Sequence, residues 1–361
     1  MKTLFAACFA ALAACNTAFA ADIPATGPQV TLAVFGDWPY NQLLLDNAPL
    51  LLNSINGDAN VNFVMHVGDI HSGSMPCTSA DILPALATAV PGWNQKIYYV
   101  FQQFEKPLIY TPGDNEWTDC HKSKQSASGA PLKELAAVRS LFFARPGHTL
   151  GRSDRTVLSQ AKYYDPAYPA DAAYVENVMW TYHRVLFVTL NVPGSNNDTL
   201  PWTGNFADPA AQAAEVAARN AANIRWLKSA FQLASDSRAG AVVIGIQADM
   251  WDPAALGGDG LDQYTPFVKA LADASVAYGG PVLLLNGDSH LYMQDRPLAD
   301  PSSSTGAIHK TQPVANLTRI TVQGSTNAPA EWLKLTIDTR FADPFSWTNV
   351  PYCTAPLTKC N

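Results

Sequence analysis

The sequence lacks the basic surface that nucleic-acid-binding proteins use. Lysine and arginine together number 23 against 30 aspartates and glutamates, the formal net charge is −7, and no run of basic residues breaks this balance. Non-specific binding to nucleic acid depends on a cationic face that neutralises phosphates. We therefore exclude a nucleic-acid-binding face. A protein this acidic would need metal ions to act on an anionic ester.

Other functional motifs are missing as well. No G-x-S-x-G sequence occurs, so the nucleophile elbow of serine esterases is absent. No two cysteines have C-x-x-C spacing, which argues against a zinc site built from cysteines. Neither an internal repeat nor a long linker divides the chain. Because 48% of the residues are hydrophobic and only 15% are charged, we predict that residues 21–361 form a single domain with a large core.

Residues 1–20 are typical of a signal peptide. Lys2 supplies a short basic start, residues 4–9 begin an apolar stretch, and Ala18-Phe19-Ala20 is an A-x-A cleavage site. An alternative is a lipobox that ends at Cys15, although we favour cleavage after Ala20. Either route predicts a periplasmic or secreted protein. No later apolar run reaches the roughly 20 residues that a transmembrane helix needs.

Four cysteines remain after the predicted leader: Cys77, Cys120, Cys353 and Cys360. An even number of cysteines in an exported protein indicates disulfides, and four cysteines allow three pairings. We predict Cys77–Cys120, which would join two loops that carry polar residues, and Cys353–Cys360, which would close a short C-terminal loop. The alternative is buried free thiols.

Short apolar segments alternate with helical ones along the chain. Strand patterns cover residues 29–35, 61–67, 107–110, 241–246 and 281–285. The strongest helical pattern covers residues 208–234. An antiparallel pair is predicted for 173–180 and 183–191, and a second sheet for 290–295, 317–323 and 332–337. Strands that alternate with helices favour a parallel sheet.

Polar residues follow these strands at a recurring position. The loops are Gly36-Asp37-Trp38-Pro39-Tyr40, Gly68-Asp69-Ile70-His71, Gly113-Asp114-Asn115-Glu116, the strand end at Gln247, and Gly287-Asp288-Ser289-His290. One Gly-Asp pair alone is most often a simple turn, but five such loops in chain order form a pattern. Because ligand sites of parallel sheets lie at the carboxyl ends of the strands, we expect these side chains to meet.

This order resembles the motifs of the calcineurin-like metallophosphoesterases, D-x-H, G-D-x-x, G-N-H-E/D, a strand-end His and G-H-x-H, from about residue 34 to residue 290. The resemblance implies an α/β fold, a four-layer sandwich of two mixed β-sheets flanked by helices. It implies that Asn115 falls at the histidine that assists the leaving group, and that Asp69 bridges two metals. The implied metal ligands are Asp37, Asp69, Asp114, Gln247, Asp288 and His290.

Several histidines of the family motifs are replaced in this chain. Pro39 stands where the first histidine belongs, and Tyr40 is the nearest alternative ligand. A shift of the loop by one residue would make Asn115 the ligand instead of Asp114. Oxygen ligands with a single imidazole favour Mg²⁺, Mn²⁺ or Ca²⁺ over Zn²⁺. We therefore predict one or two divalent ions of this kind.

Residues beside these loops are candidates for catalysis and substrate binding. His71 follows the bridging aspartate by two positions and, like His121, could assist the leaving group in place of Asn115. The turn at residues 191–197 could present Asn196 or Asn197 to a substrate. The alternatives are a hydrogen-bonded surface histidine at position 71 and a plain Pro-Gly turn at 191–197.

The expected activity is metal-dependent hydrolysis of a small phosphate mono- or diester by metal-activated water, outside the cytoplasm. The alternative is a non-catalytic, metal-bearing protein that binds a ligand or a partner on the same fold. Pro39 and Asn115 favour the alternative, because neither can do the work of a histidine. His290, together with Asp37, Asp69 and Asp288, favours the enzyme.

Overall fold

Two mixed β-sheets form the centre of the protein. The coordinates are a computed structural model that describes residues 29–77, 92–252 and 260–353. The strands are β1 Val30–Phe35, β2 Phe63–His66, β3 Leu108–Tyr110, β4 Leu158–Ser159, β5 Val178–Tyr182, β6 Val185–Thr189, β7 Ala241–Gly245, β8 Val282–Asn286, β9 Met293–Asp295, β10 Leu317–Thr321, β11 Ala330–Ile337 and β12 Phe345–Cys353. The first sheet has the strand order β12-β11-β1-β2-β3 and the second β4-β5-β6-β7-β8-β10-β9.

Helices cover the outer faces of both sheets. The long helix α6, Pro209–Asp236, is capped by Asp208, whose side chain accepts a hydrogen bond from the Ala211 amide. The described α-helices are α1 Gln42–Asp46, α2 Ala48–Asn56, α3 Trp93–Phe101, α4 Pro131–Phe142, α5 Gln160–Tyr163, α6 Pro209–Asp236, α7 Thr265–Tyr278 and α8 Gly306–His309.

Alternating side chains on the strands build the layers. Leu32 on β1 and Leu283 on β8 face the space between the two sheets and share one buried cluster. The neighbouring Ala33 packs with the helices on the outer side of the first sheet. Leu284 packs with α6 and α7 on the outer side of the second. This period of two confirms the predicted sandwich of two sheets between helices.

Long-range pairing differs from the sequence prediction in one place. We expected residues 332–337 to join a second sheet, but β11 pairs antiparallel with β1 in the first sheet, with Leu32 opposite Leu335. The hairpin partner β12 was not predicted, because its residues alternate between exposed and half-buried positions and carry a weak apolar pattern. The described part of the chain contains no helix that is both long and apolar enough to cross a membrane.

Candidate metal centre

The carboxyl ends of the parallel strands meet at one edge of the sandwich. Asp37 and Asp69 follow the neighbouring parallel strands β1 and β2, and their loops are joined by hydrogen bonds from the Asp37 amide to the Gly68 carbonyl and from the Trp38 amide to the Asp69 carbonyl, at 2.9 and 3.0 Å. In the second sheet, the Gly287 amide donates to the Gln247 carbonyl. The sheet topology therefore brings the five predicted loops together, as expected for parallel strands.

The first of two ligand groups contains Asp37, Asp69 and His290, whose ligand atoms lie within 4.8 Å of one another. The Tyr40 hydroxyl lies in the middle of this group. It is 3.0 Å from Asp37 Oδ1, 2.9 Å from Asp69 Oδ2 and 2.9 Å from His290 Nε2. Tyr40 thus contacts all three residues of this group.

The second group contains Asp69, Asp114 and Asp288, again within 4.8 Å of one another. Asp69 belongs to both groups, which is the position that the resemblance gives to a bridging ligand. Asp114 contributes a carboxylate to this group. The Asn115 side chain instead donates from Nδ2 to Asp69 Oδ2 at 2.9 Å.

Four residues of the two groups adopt left-handed backbone conformations. The φ angles are 49° for Asp37, 61° for Asp69, 75° for Asp288 and 64° for His290. Such conformations are uncommon outside glycine and cluster at functional sites, where they aim side chains inward. The left-handed turns that follow the strands therefore bring these four side chains together.

Burial and mutual repulsion destabilise the charged form of these carboxylates when no cation lies between them. Burial first, and the charge of Asp114 second, raise the pKa of Asp69 well above its usual range. The same two causes raise the pKa of Asp288 well above its usual range. Burial, followed by the charge of Asp37, raises the pKa of the Tyr40 hydroxyl. A divalent ion would relieve the repulsion that causes these shifts.

Hydrogen-bond donors are too few around the first group. The Tyr40 hydroxyl carries one hydrogen, so it cannot donate to both Asp37 and Asp69. The other oxygen of the buried Asp37 carboxylate, Oδ2, has no hydrogen-bond partner among the described residues. A group of close oxygens with too few hydrogens fits a cation, and these oxygens with one imidazole suit a hard divalent ion.

Two lysines that the sequence analysis missed, Lys122 and Lys124, lie beside the second group. The Ser195 hydroxyl lies 2.7 Å from Asp114 Oδ2 and 2.6 Å from Asp119 Oδ1. Lys122 Nζ donates to Ser195 Oγ at 2.8 Å and pairs with Asp119, as does Lys124. Nothing local in the sequence marks these lysines, because only the fold brings residue 195 to residue 114.

The turn at residues 191–197 reaches the centre through Ser195 and not through the asparagines that we singled out. Ser195 has φ of 50° within a left-handed turn at Gly194–Asp198. Asn197 is fully buried, and its side chain accepts from Arg219 and donates to Asn220. The Asn196 amide packs against Gly260. The structure therefore gives Asn197 a role in holding the turn.

The candidate histidines outside the ligand groups are buried. His71 is fully buried, its Nε2 has no partner among the described residues, and burial lowers its pKa to about 4. His121 is also buried, and its Nδ1 accepts from the Thr203 amide at 3.0 Å. His66, which lies at the end of β2, is fully buried in the core. His66 Nδ1 accepts from the Gly68 amide at 3.2 Å, and burial lowers its pKa to about 4.

The Cys77–Cys120 disulfide is present as predicted and joins the loop after β2 to the loop after β3. Both sulfurs lie against the backbone carbonyl of Asn115, at 3.4 and 3.9 Å. A disulfide is in keeping with a location outside the cytoplasm. The predicted Cys353–Cys360 pair and the predicted signal peptide involve positions outside the described residues.

Comparison with known proteins gives little further guidance. No family model matches the sequence, and no curated protein matches it. Among solved structures, the chain is similar to GAP50, described as the anchor in the inner membrane complex of Plasmodium, with a TM-score of 0.42 and 11% sequence identity. That similarity covers 90% of this chain and 89% of that one.

Proposed function

We propose that the protein is a metal-dependent phosphoesterase that hydrolyses a phosphate mono- or diester. The observation that carries this proposal is the shortage of hydrogen-bond donors around the first ligand group. Asp37, Asp69, Tyr40 and His290 place oxygens and one imidazole in close contact, and Asp37 Oδ2 is buried without a partner among the described residues. This donor set fits Mg²⁺, Mn²⁺ or Ca²⁺.

The residues around the ligand groups suit an anionic ester. When bound, a divalent ion activates water and neutralises charge on phosphoryl oxygens. The Lys122 ammonium donates a hydrogen bond to Ser195 Oγ, and the Ser195 hydroxyl in turn lies within hydrogen-bond distance of Asp114. In a chain with a net charge of −7, this local positive charge supports binding of a phosphate group next to the ligands.

We place this activity outside the cytoplasm. The Cys77–Cys120 disulfide supports an oxidising compartment. The signal-peptide pattern of residues 1–20 supports export to the periplasm or the medium.

The test is hydrolysis of p-nitrophenyl phosphate and bis-p-nitrophenyl phosphate by metal-stripped protein that is resupplied with Mg²⁺, Mn²⁺, Ca²⁺ or Zn²⁺. Asp69→Asn removes the shared ligand charge, and Asp165→Asn, on an exposed loop, is the matched control. We expect activity that returns with metal, is lost in Asp69→Asn and is retained in the control. Hydrolysis that is equally fast before and after metal is returned and that persists in Asp69→Asn would refute the proposal, as would no hydrolysis by the folded protein with any ion.

A second candidate, a metal-bearing binding protein without catalysis, is favoured by Asn115. This residue occupies the position at which the family resemblance expects a histidine, and its Nδ2 donates to Asp69 and so holds a ligand in place. A side-chain amide donates hydrogen bonds but is too weak an acid to transfer a proton to a leaving group. Metal binding by a folded protein that hydrolyses neither ester with any ion would support this candidate.

A further inference from the structure

The two ligand groups differ in what lies between their carboxylates. In the second group the side-chain amide nitrogen of Gln247 takes the central place. Nε2 lies 3.0 Å from Asp114 Oδ1, 3.1 Å from Asp288 Oδ1 and 3.3 Å from Asp69 Oδ2. These are hydrogen-bond distances to the three carboxylates that a second metal ion would have to bind.

The orientation of the Gln247 amide is fixed by its other end. Gln247 Oε1 accepts a hydrogen bond from the Gly194 amide at 2.5 Å. A backbone N–H can only donate, so the side-chain oxygen must face Gly194 and the NH₂ group must face the carboxylates. Gln247 is fully buried, and its Cγ is packed so tightly that a Cβ added at Gly68 would lie 2.4 Å from it. The side chain therefore cannot turn away to present its oxygen as a ligand.

The second oxygens of Asp114 and Asp288, which point away from Gln247, also have hydrogen-bond donors. Asp114 Oδ2 lies within hydrogen-bond distance of the Ser195 hydroxyl, and Asp288 Oδ2 accepts from the Asp249 amide at 3.1 Å. Each oxygen of these two carboxylates thus has a donor from the protein. Asp37 Oδ2 in the first group has none among the described residues. The shortage of donors that points to a cation is confined to the first group.

We infer that the centre binds a single divalent ion, between Asp37, Asp69, His290 and Tyr40, and that the Gln247 amide takes the place of a second ion. The inference rests on the proposed function only in assuming that the first group binds metal. It departs from the two-ion arrangement that the sequence resemblance implies. Gln247 is accordingly a positioning residue that holds Asp69, Asp114 and Asp288 together.

Metal stoichiometry tests this inference with a readout that does not depend on activity. Protein loaded with Mn²⁺ and dialysed should hold one ion per chain by elemental analysis, with the electron paramagnetic resonance spectrum of an isolated Mn²⁺ ion. Two ions per chain with a spin-coupled spectrum would overturn the inference, and hydrolysis by that protein would leave the proposed function intact. No bound ion together with no hydrolysis would overturn both.

A variant tests the role of the amide itself. Gln247→Glu keeps the side-chain shape and the oxygen that accepts from Gly194, but it removes both N–H donors and adds a fourth ligand charge. We expect the stoichiometry to rise from one Mn²⁺ to two. Gln232→Glu, on the exposed face of α6, adds the same charge elsewhere and should stay at one. A folded Gln247→Glu protein that still binds one ion would overturn the assignment of the amide.

Discussion

Removal of the Cys77–Cys120 disulfide should destabilise the protein by an amount that follows from the loop it closes. The two cysteines are 43 residues apart in sequence. In the chain-entropy treatment, a cross-link of this span removes roughly 13 cal/mol/K from the unfolded chain, which corresponds to about 4 kcal/mol at 25 °C. That is a large share of the roughly 5–15 kcal/mol by which a domain is usually stable.

The assay is urea unfolding of Cys77→Ala/Cys120→Ala beside the wild type, without reductant. We expect the free energy of unfolding to fall by about 4 kcal/mol and the denaturant dependence to rise slightly, since the unfolded chain becomes less compact. Wild-type protein reduced at this disulfide keeps both sulfurs, so an equal loss there would assign the effect to the cross-link and not to packing. A loss under about 1 kcal/mol in both samples would refute the entropy argument.

Three further predictions follow from buried groups. The folded pKa of His66, about 4, lies below its unfolded value of 6.5, so its neutral form contributes stability above pH 6.5 that is lost as the pH falls to 4, by about 3 kcal/mol. Urea midpoints across this range should show the loss, and His66→Gln should remove this share of it, whereas the share from His71, whose pKa is also lowered to about 4, should remain. In Gly113→Ala the new Cβ would lie 2.0 Å from Asp69 Oδ1, so Mn²⁺ binding, measured by titration, should weaken at least about tenfold, as for loss of ligand support. Arg219→Met leaves Glu215 without its buried partner at 2.7 Å, and the free energy of unfolding should fall by about 3–5 kcal/mol; wild-type stability would contradict that role.

Local sequence was sufficient for the parts of the site that follow directly from a strand. Asp37 and Asp69 each come two or three residues after a buried apolar strand, and parallel strands bring their ends to one edge. The nearly continuous apolar sequences of β1 and β8 are typical of strands that are buried on both faces, and so of a layered fold. The sequence pattern therefore agrees with the sheet topology for contacts between neighbouring strands.

Sequence reasoning failed where the contact depends on distant segments. Ser195 reaches Asp114 only because a left-handed turn redirects the chain after β6, and that turn is held by Arg219 from α6. Pairing of β11 with β1 joins residues about 300 positions apart in sequence. The role of Gln247 could not be inferred either, because its orientation depends on a backbone amide that follows another strand.

The choice of aspartate and histidine at the turns serves two physical requirements at once. Asp37, Asp69 and His290, the proposed ligands of the ion, must present their side chains to it and must also accept positive φ angles. Aspartate, asparagine and histidine tolerate the left-handed region better than other residues with a side chain, whereas alanine does so at a cost of about 1–2 kcal/mol. Replacement of Asp69 by alanine would therefore combine the loss of a ligand with backbone strain. Replacement by asparagine avoids this strain and removes the charge, and it also exchanges for a donor one of the oxygens that accept from Asn115 and Gln247. A folded but inactive Asp69→Asn protein is therefore the form that separates metal chemistry from folding.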